Sequence, residues 1–246
     1  MSRRIVVLLV ILAVALILPL VITVLVEVNV PRSLRDLGKY YVKNTINDTA
    51  SPEAVAAVVW DYRGLDTIYE TVVLYLALVG GLAIFRAATA KPLTRTVGLT
   101  ELTKTSTRII VVLIATIAAC IALHGHLTPG GGFQGGSTLA TASMLIVPVF
   151  TLNAFISRNV TSAKLIAVRG LALASIGIVA LLPVLKGFEL VTNQRFYPSH
   201  VFGIPLSGSI MLYNLFEAIA VATGFTAIAL YLSIPEEYVS KKGDHG

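Results

Sequence analysis

The chain has 246 residues, of which 56% are hydrophobic and 13% are charged, and its mean hydropathy is +0.83. Because soluble domains carry about 25% charged residues, this composition excludes an ordinary soluble protein and indicates an integral membrane protein. The formal net charge of +6 reflects lysines and arginines in the loops, and nothing supports nucleic acid binding. Cys120 is the single cysteine, which excludes a disulfide framework and a cysteine-based metal or iron–sulfur site. We expect no cofactor and no metal site in this chain.

Apolar segments with about the 20 residues that cross a hydrocarbon core recur along the chain. They cover residues 5–26, 68–88, 109–123, 137–156, 165–185 and 209–233. The first follows Arg3 and Arg4 as a signal peptide would, but it is too long and lacks a cleavage pattern, so we expect an uncleaved helix. The third is short, as expected for a helix that ends early at a break. The sequence therefore predicts an all-α integral membrane protein with about six transmembrane helices.

A polar segment, residues 27–67, separates the first two spans. Within it Ser51 and Pro52 predict a short helix, with Ser51 as its N-cap and Pro52 at its first position, and Gly64 predicts its end. Residues 54–60 are apolar on every side but too few to span a bilayer. We expect this helix to lie against the membrane surface or a partner subunit.

The lysines and arginines in the loops predict the orientation of the chain. With a cytoplasmic N-terminus, more of them fall on the cytoplasmic side than outside. We therefore expect a multi-pass protein of the cell membrane with both termini cytoplasmic, and with the break between the third and fourth helices on or near the outer side. The two halves of the chain show no internal repeat, which argues against a self-sufficient transporter of inverted-repeat design.

The third and fourth spans are joined by the least random stretch of the chain, HGHLTPGGGFQGG at residues 124–136. Pro129 and the glycines after it stop a helix, because proline removes a donor and each glycine costs about 1 kcal/mol in a helix interior. GGGFQG formally matches a dinucleotide-binding fingerprint, but no βαβ unit surrounds it. Two interpretations remain. Either the break is a tight turn that lets two helices pack closely, or it lines an ion path in which His126 titrates near neutral pH and the backbone coordinates a cation or water.

Two carboxylates enter the second span. Thr67 and Glu70 have the spacing of a capping box, and Asp66 adds negative charge at a helix N-terminus, so a structural role explains all three. Asp66 and Glu70 also lie one turn apart on one helix face, and carboxylates within a span usually line a proton or ion pathway. Both interpretations can hold together.

Glu217 is the deepest acid of the chain, and Asn214 lies one turn before it on the same face of the last span. A charged glutamate facing lipid costs several kcal/mol, so it must be neutral, paired or hydrated. Lys186 and Arg169 on the fifth helix are possible partners. A structural hydrogen bond between helices and a role in a proton relay are both compatible with this position.

The run from His124 to Gly136 resembles the signature of the MnhB/MrpB subunits of multisubunit Na+/H+ antiporters. GIPLSGS at residues 203–209 and the pair Tyr213-Asn214 are similar to the last loop and helix of that family. KYYVKN at residues 39–44, DYRGLDT at residues 61–67, and Glu70 resemble the end of the MrpA subunit or the MbhE-type subunit of archaeal membrane-bound hydrogenases. The resemblance implies two joined segments, residues 1–90 like MrpA or MbhE and residues 91–246 like MnhB/MrpB.

The resemblance further implies a small membrane subunit of a cation- and proton-translocating module, in an Mrp antiporter or in a related hydrogenase or sulfur-reducing respiratory complex. Its partners would be the other membrane subunits and the lipid bilayer, with Na+ and H+ as the transported ions. Carried over by position, it singles out His126, Pro129, Phe133 and Glu70. With the acids found above, the candidate ion-translocation residues are Glu70, Asp66, His126 and Glu217. The candidate loop residues beside the ion path are Pro129, Gly130, Gly131, Gly132, Phe133, Gly135 and Gly136.

The main hypothesis is therefore a non-catalytic subunit that forms part of an ion path. Glu70 would relay a cation or proton, and the break would shape a hydrated route between helices. The alternative is a scaffold that joins antiporter-like and redox modules without handling ions. An autonomous transporter is disfavoured by the missing repeat, and an enzyme is disfavoured by the lack of a nucleophile–base pair or cofactor motif in the sequence.

Overall fold

The computed structural model describes residues 12–24, 33–84 and 99–234. The α-helices are α1 Leu12–Val24, α2 Asp36–Thr49, α3 Ala54–Ala57, α4 Gly64–Ile84, α5 Glu101–His124, α6 Gly132–Phe150, α7 Asn153–Ile156, α8 Ser162–Leu181 and α9 Ile210–Leu232. A π-helical turn, Val58–Tyr62, follows α3, and a 3₁₀ turn, Leu182–Lys186, follows α8. Two short strands, β1 His200–Val201 and β2 Ile204–Pro205, pair antiparallel. The described chain is thus almost entirely helical, as the sequence predicts.

The chain divides into two compact units, residues 1–42 and residues 43–246. In the first unit α1 exposes apolar side chains such as Leu16 and Leu20. The hydroxyl of Thr23 donates to the carbonyl of Pro19 at 2.8 Å, so this polar group is satisfied within its own helix.

Five helical segments of the described chain are long and apolar enough to cross a bilayer. They are Gly64–Ile84, Glu101–His124, Gly132–Phe150, Ser162–Lys186 and Ile210–Leu232. α1 is a shorter apolar helix, and the remainder of the span predicted at residues 5–26 lies outside the described residues. The predicted class, an all-α membrane protein with about six spans, is confirmed.

The third span is longer than its apolar run predicts, because α5 begins at Glu101 and not near residue 109. Local polar interactions stabilise the N-terminal end of α5. The Thr100 hydroxyl accepts a hydrogen bond from the Thr103 N–H at 3.3 Å, and Lys104 pairs with Glu101 at 2.7 Å. An N-cap and an ion pair one turn apart stabilise a helix end that hydrophobicity alone does not reveal.

The predicted helix start at Ser51 is wrong. α3 begins at Ala54 with Glu53 as its N-cap, whose carboxylate accepts from the Ala56 N–H. The Ser51 hydroxyl instead donates to the carbonyl of His126 at 2.6 Å. Because α3 begins only at Ala54, the residue directly before the helix is Glu53, and its carboxylate caps the first turn. A longer helix, α2, also occupies the polar segment where the sequence predicts only a short one.

The predicted capping box of Thr67 and Glu70 is also wrong. α4 already begins at Gly64, where the sequence predicts a helix end, so Thr67 lies inside the helix. Its hydroxyl donates to the Val59 carbonyl, at 2.5 Å. The π-helical turn leads almost directly into α4, and this bond ties the two together. Thr67 and Glu70 are therefore two residues one turn apart inside a helix, and their spacing does not mark a helix start.

α9 is the central helix of the second unit. It packs against α6 and α8 most extensively, and also against α4 and α5. A hydrophobic core forms where α3, the π-helical turn, α8 and α9 meet. Its buried members are Ala56, Ala57, Trp60, Ile176, Val179, Ala180, Val191, Ile210 and Tyr213. The apolar stretch expected to face the membrane surface or a partner is thus largely buried within this chain.

Glycines allow α6 to approach both of its neighbours. A Cβ on Gly135 would lie 2.7 Å from the Ala122 Cβ and 2.9 Å from the Ala118 carbonyl oxygen of α5. A Cβ on Gly136 would lie 2.6 Å from the Ala218 carbonyl oxygen of α9. Small residues at membrane helix interfaces let backbones come close and gain dispersion contacts. Gly135 and Gly136 are accordingly helical rather than part of the break, which ends at Gly131.

Replacing Gly135 with alanine should destabilise the second unit by about 1–3 kcal/mol, because α5 must move to make room. Gly170 provides the matched control, since it is also helical and a Cβ there meets nothing within 4 Å. G170A should raise stability slightly, as alanine is the better helix former. Thermal unfolding of the detergent-solubilised protein, followed by gel filtration after heating, measures both. Equal melting temperatures for the two variants would contradict the close packing of α5 and α6.

Candidate functional site

α6 begins inside the helix bundle, and α9 supplies the groups that cap it. The residue before α6 is Gly131, which has no side chain to accept a hydrogen bond. Instead the Asn214 Oδ1 accepts from the Gly132 N–H at 3.3 Å, and the Glu217 Oε2 accepts from the Phe133 N–H at 2.9 Å. The first N–H groups of a helix lack partners and carry the positive end of its dipole. A carboxylate at this position is therefore stabilised by the helix that it caps.

Backbone geometry brings α6 and α9 close enough for these bonds. Gly131 has φ +149°, a conformation that side chains rarely adopt. A Cβ on Gly132 would lie 2.6 Å from the Glu217 Oε2 and 2.5 Å from the Asn214 carbonyl oxygen. Because Asn214 and Glu217 are one helical turn apart, both reach the same helix start.

The break itself folds back onto the end of α5. The carbonyl of His124 accepts from the N–H groups of Leu127 at 2.8 Å and Thr128 at 2.9 Å. The Gly131 N–H donates to the Ile121 carbonyl at 3.1 Å. Irregular backbone at membrane depth survives only where its polar groups are satisfied. These bonds satisfy several of them without any charged side chain from the loop.

A cavity of about 580 Å³ opens beside the start of α6. Its polar lining includes Glu70 of α4 and both Asn214 and Glu217 of α9. Residues 130–134 of the break and of α6 complete one wall, with Trp60 on another. Glu217 is 8% exposed and Asn214 1%, whereas Glu70 is exposed. Two of the predicted acids thus line one cavity with part of the predicted loop.

Neither of the two possible partners, Arg169 and Lys186, pairs with Glu217. The Arg169 guanidinium lies over the Tyr75 ring at 5.2 Å from its centroid, pressed against Gly224 of α9. Lys186 is exposed at the end of the 3₁₀ turn. The positions of Arg169 and Lys186 in the sequence do not show which face of α9 each side chain contacts. The Phe133 N–H of α6 bonds to Glu217 in place of a cation from α8.

Asp66 lies outside the cavity. Its Oδ2 accepts from the Arg63 Nε at 2.9 Å, and both side chains are exposed. Asp66 lines a separate depression of about 380 Å³ together with Asp61 and Glu189. The shared helix face predicted for Asp66 and Glu70 therefore does not bring them to one site.

His126 fastens the break to two distant segments and does not line the cavity. Its Nε2–H donates to the Pro205 carbonyl of β2 at 3.0 Å, and its own carbonyl accepts from Ser51. The side chain is 3% exposed. Burial lowers the pKa of His126 below its usual 6.5, and outweighs the opposite effect of the hydrogen bond to Pro205. Burial therefore disfavours the charged form of this imidazole.

The remaining predicted loop residues differ in their surroundings. Pro129 is exposed and lies outside the cavity lining, which begins at Gly130. The Phe133 ring packs edge-on against Phe225 of α9 at 6.3 Å between centroids, while its N–H meets Glu217. Phe133 therefore touches α9 through both its ring and its backbone.

Sequence reasoning missed two buried polar anchors. Trp60 stacks on Tyr213 at 4.7 Å between ring centroids, and its indole N–H donates to the Asn214 Oδ1 at 2.9 Å. Trp60 is the chain's single tryptophan, a signal that could have marked it as an anchor.

The second anchor is Asn193, in the loop before β1. Its Nδ2 donates to Asp61 at 2.9 Å, and its Oδ1 accepts from the Ser209 N–H at 2.7 Å. Burial raises the pKa of Asp61 despite that hydrogen bond. No pattern in the sequence distinguishes this asparagine from a solvated loop residue.

Acidification should lower the stability of the folded protein by protonating His126, which holds the break through its bond to Pro205. Because the folded pKa is depressed, the unfolded chain binds the proton more readily, so stability is complete above pH 6.5 and is lost as pH falls below it. The loss of stability is measured as a decrease in the melting temperature of the solubilised protein between about pH 8 and pH 5, a range that brackets the usual histidine pKa. H126Q should lack the component of the decline that begins near pH 6.5.

H200Q serves as the control for this experiment, since it removes a histidine that is exposed on β1. Its pH profile should match that of the wild type. An identical profile for H126Q and the wild type would show that His126 does not contribute.

Comparison with known proteins agrees with these features. Residues 102–227, just over half of the chain, match the model of a domain family described as related to the MnhB subunit of Na+/H+ antiporter. An uncharacterized protein of Methanocaldococcus jannaschii, MJ1307, is 26% identical over 212 residues, which cover 77% of this chain and 80% of that protein.

Two solved structures share the fold. A chain of the membrane-bound sulfane sulfur reductase, an archaeal respiratory membrane complex, aligns with TM-score 0.68 and 31% identity over 96% of this chain and 100% of its own. A chain of the Mrp complex from Dietzia sp. DQ12-45-1b aligns with TM-score 0.64 and 22% identity over 96% of this chain and 26% of its own. The predicted relation is confirmed: the chain belongs to the family of domains related to the MnhB subunit of Na+/H+ antiporters.

Proposed function

We propose that this chain is a non-catalytic subunit of a cation- and proton-translocating membrane complex, and that Glu70 and Glu217 carry the transferred charge. The observation that supports this most directly is the cavity that both carboxylates line beside the start of α6. Carboxylates within a membrane span are costly and are usually found on ion or proton pathways.

The two acids have complementary surroundings. Glu217 is buried, and its Oε2 accepts a hydrogen bond from the Phe133 N–H in the first turn of α6. Glu70 is exposed in this chain, on a membrane helix where a neighbouring subunit can approach it. A proton or cation therefore arrives at Glu70, and Glu217 receives it within the cavity.

Competition between a proton and a cation for the oxygens of Glu70 and Glu217 would account for the exchange of one for the other. Glu70 and Glu217 line the same cavity, so a proton and a cation would compete there for the same carboxylate oxygens. A site that binds either species, but not both together, exchanges one for the other. The matched family is named for a Na+/H+ antiporter, and this supports Na+ and H+ as the pair.

The assembly around the chain is part of the proposal. The similar structures are chains of a respiratory membrane complex and of an Mrp complex, which supports other membrane subunits as partners. The division at residue 90, the cytoplasmic position of both termini and the roles of Asp66 and His126 in ion transfer stay predictions.

Reconstitution of the whole complex in vesicles tests the roles of the two acids. E70Q and E217Q should each abolish sodium-dependent collapse of an imposed pH gradient, followed with an entrapped pH-sensitive dye, because glutamine removes the titratable charge. Glutamine at position 217 retains an oxygen that can accept from Phe133, so assembly should persist. E189Q provides the control, since Glu189 is an exposed acid outside this cavity.

A structural scaffold is the second candidate, and the bond between Glu217 and Phe133 favours it, because this bond by itself explains a buried glutamate. A scaffold predicts normal exchange for E70Q and E217Q. It also predicts that G132L separates the chain from its complex, because a larger side chain meets Glu217 and Asn214. Undiminished transport by both glutamine variants would therefore decide for the scaffold.

A further inference from the structure

A second cavity, of about 750 Å³, lies at the opposite end of the α5–α6 hairpin from the break. It is lined by residues 108–112 of α5, the end of α6 and the turn that contains α7. Two arginines, Arg108 and Arg158, stand on its rim, and both are exposed. The proposed function uses none of these residues.

Among the residues that the structure describes, positive charge at this end has a single nearby carboxylate. Between residues 71 and 188 the sequence contains a single carboxylate, Glu101. Lys104 forms an ion pair with that carboxylate, with 2.7 Å between the Lys104 Nζ and the Glu101 Oε1. Arg108 and Arg158 form no ion pair within the described ranges 12–24, 33–84 and 99–234. A cavity with two unpaired guanidinium groups attracts an anion.

Both arginines are positioned but keep most of their donors free for a ligand. The Arg108 guanidinium lies 5.6 Å from the centroid of the Phe150 ring, stacked on the end of α6. Arg158 donates from one nitrogen to the Ala154 carbonyl at 3.0 Å. A guanidinium has five N–H donors in a planar fork that suits phosphate oxygens. The rim therefore offers phosphate-binding chemistry at the end of a membrane span.

Asn153 and Ser157 add polar groups at the turn that contains α7, whereas the wall formed by α5 and α6 is apolar and continues into the spans. Val111, Val112 and Ile146 line it one turn further along α5 and α6. A free phosphate ion would leave this apolar wall unused. A phospholipid uses both parts, since its headgroup meets the arginines and its acyl chains cover the helix faces.

We propose that this cavity binds the headgroup of an anionic phospholipid, with Arg108 and Arg158 contacting the phosphate and the apolar wall contacting the upper acyl chain. Charge complementarity and the order of charged rim and apolar wall favour a lipid over a peptide segment of another subunit. The site is independent of the ion cavity beside Glu217.

Native mass spectrometry of the detergent-solubilised complex, titrated with phosphatidylglycerol or phosphatidylcholine, tests this proposal. The wild type should bind phosphatidylglycerol more tightly than the neutral lipid. R108Q/R158Q should bind phosphatidylglycerol about 30-fold more weakly, and each single variant about fivefold more weakly. R108K/R158K should keep most of the affinity, because it keeps both charges.

K186Q/R195Q is the matched control, since it also removes two exposed cations but at the other end of α8 and in the following loop. Its affinity for phosphatidylglycerol should equal that of the wild type. Inorganic phosphate at the same concentration should not displace the lipid. Equal binding of both lipids by the wild type, or unchanged affinity in R108Q/R158Q, would overturn the proposal. Loss of another subunit from R108Q/R158Q with lipid binding intact would identify the surface as a subunit interface instead.

Discussion

The structure of the second unit depends on the capping of α6 by α9. A helix that starts inside a membrane bundle exposes N–H groups where water is scarce, and each unsatisfied group costs several kcal/mol. Asn214 and Glu217 satisfy two of them from a neighbouring helix. The glycines at and after the start of α6 follow from the same requirement, because a side chain at Gly132 would occupy the space of these acceptors. Trp60 then bonds to the same amide and joins the π-helical turn to this point.

The acid and the glycine-rich loop are therefore two parts of one arrangement. The loop and the start of α6 contribute backbone N–H donors and allow α6 to approach α9 closely. α9 contributes the carboxylate of Glu217. Removing the charge changes the electrostatics of the cavity, whereas enlarging a glycine separates the helices. This difference in physical cause is what allows ion handling and scaffolding to be told apart, even though both depend on the same few residues.

Much of the architecture could be predicted from local patterns. Apolar length located the later spans, Pro129 and the glycines located the break, and the spacing of Asn214 and Glu217 placed them on one face. The partner of Glu217 could not be predicted, because it is a backbone N–H that lies 84 residues away in sequence. Sequence patterns describe side chains, and neither the donor groups of a helix start nor the face that a helix turns to its neighbour is visible in them.

Failures at the helix ends have a related cause. Thr67 and Glu70 fit a capping box, yet the same spacing occurs in every helix interior, and α4 begins earlier. Ser51 fits an N-cap, yet its hydroxyl bonds to His126 far along the chain. In both cases the motif is present but the helix begins at another residue, at Gly64 for α4 and at Ala54 for α3.

The bonding of Asn214 limits how the cavity beside the start of α6 could hold a cation. An amide oxygen has two lone pairs, and the Asn214 Oδ1 already accepts from Trp60 and from Gly132. The oxygen of this amide is consequently saturated as a ligand, although Asn214 lines the cavity. Neutral oxygens in the same wall come instead from Thr67 and Thr71 of α4 and from Gln134 of α6. A cation placed between the two glutamates would therefore draw its neutral ligands from α4 and α6 and none from this amide.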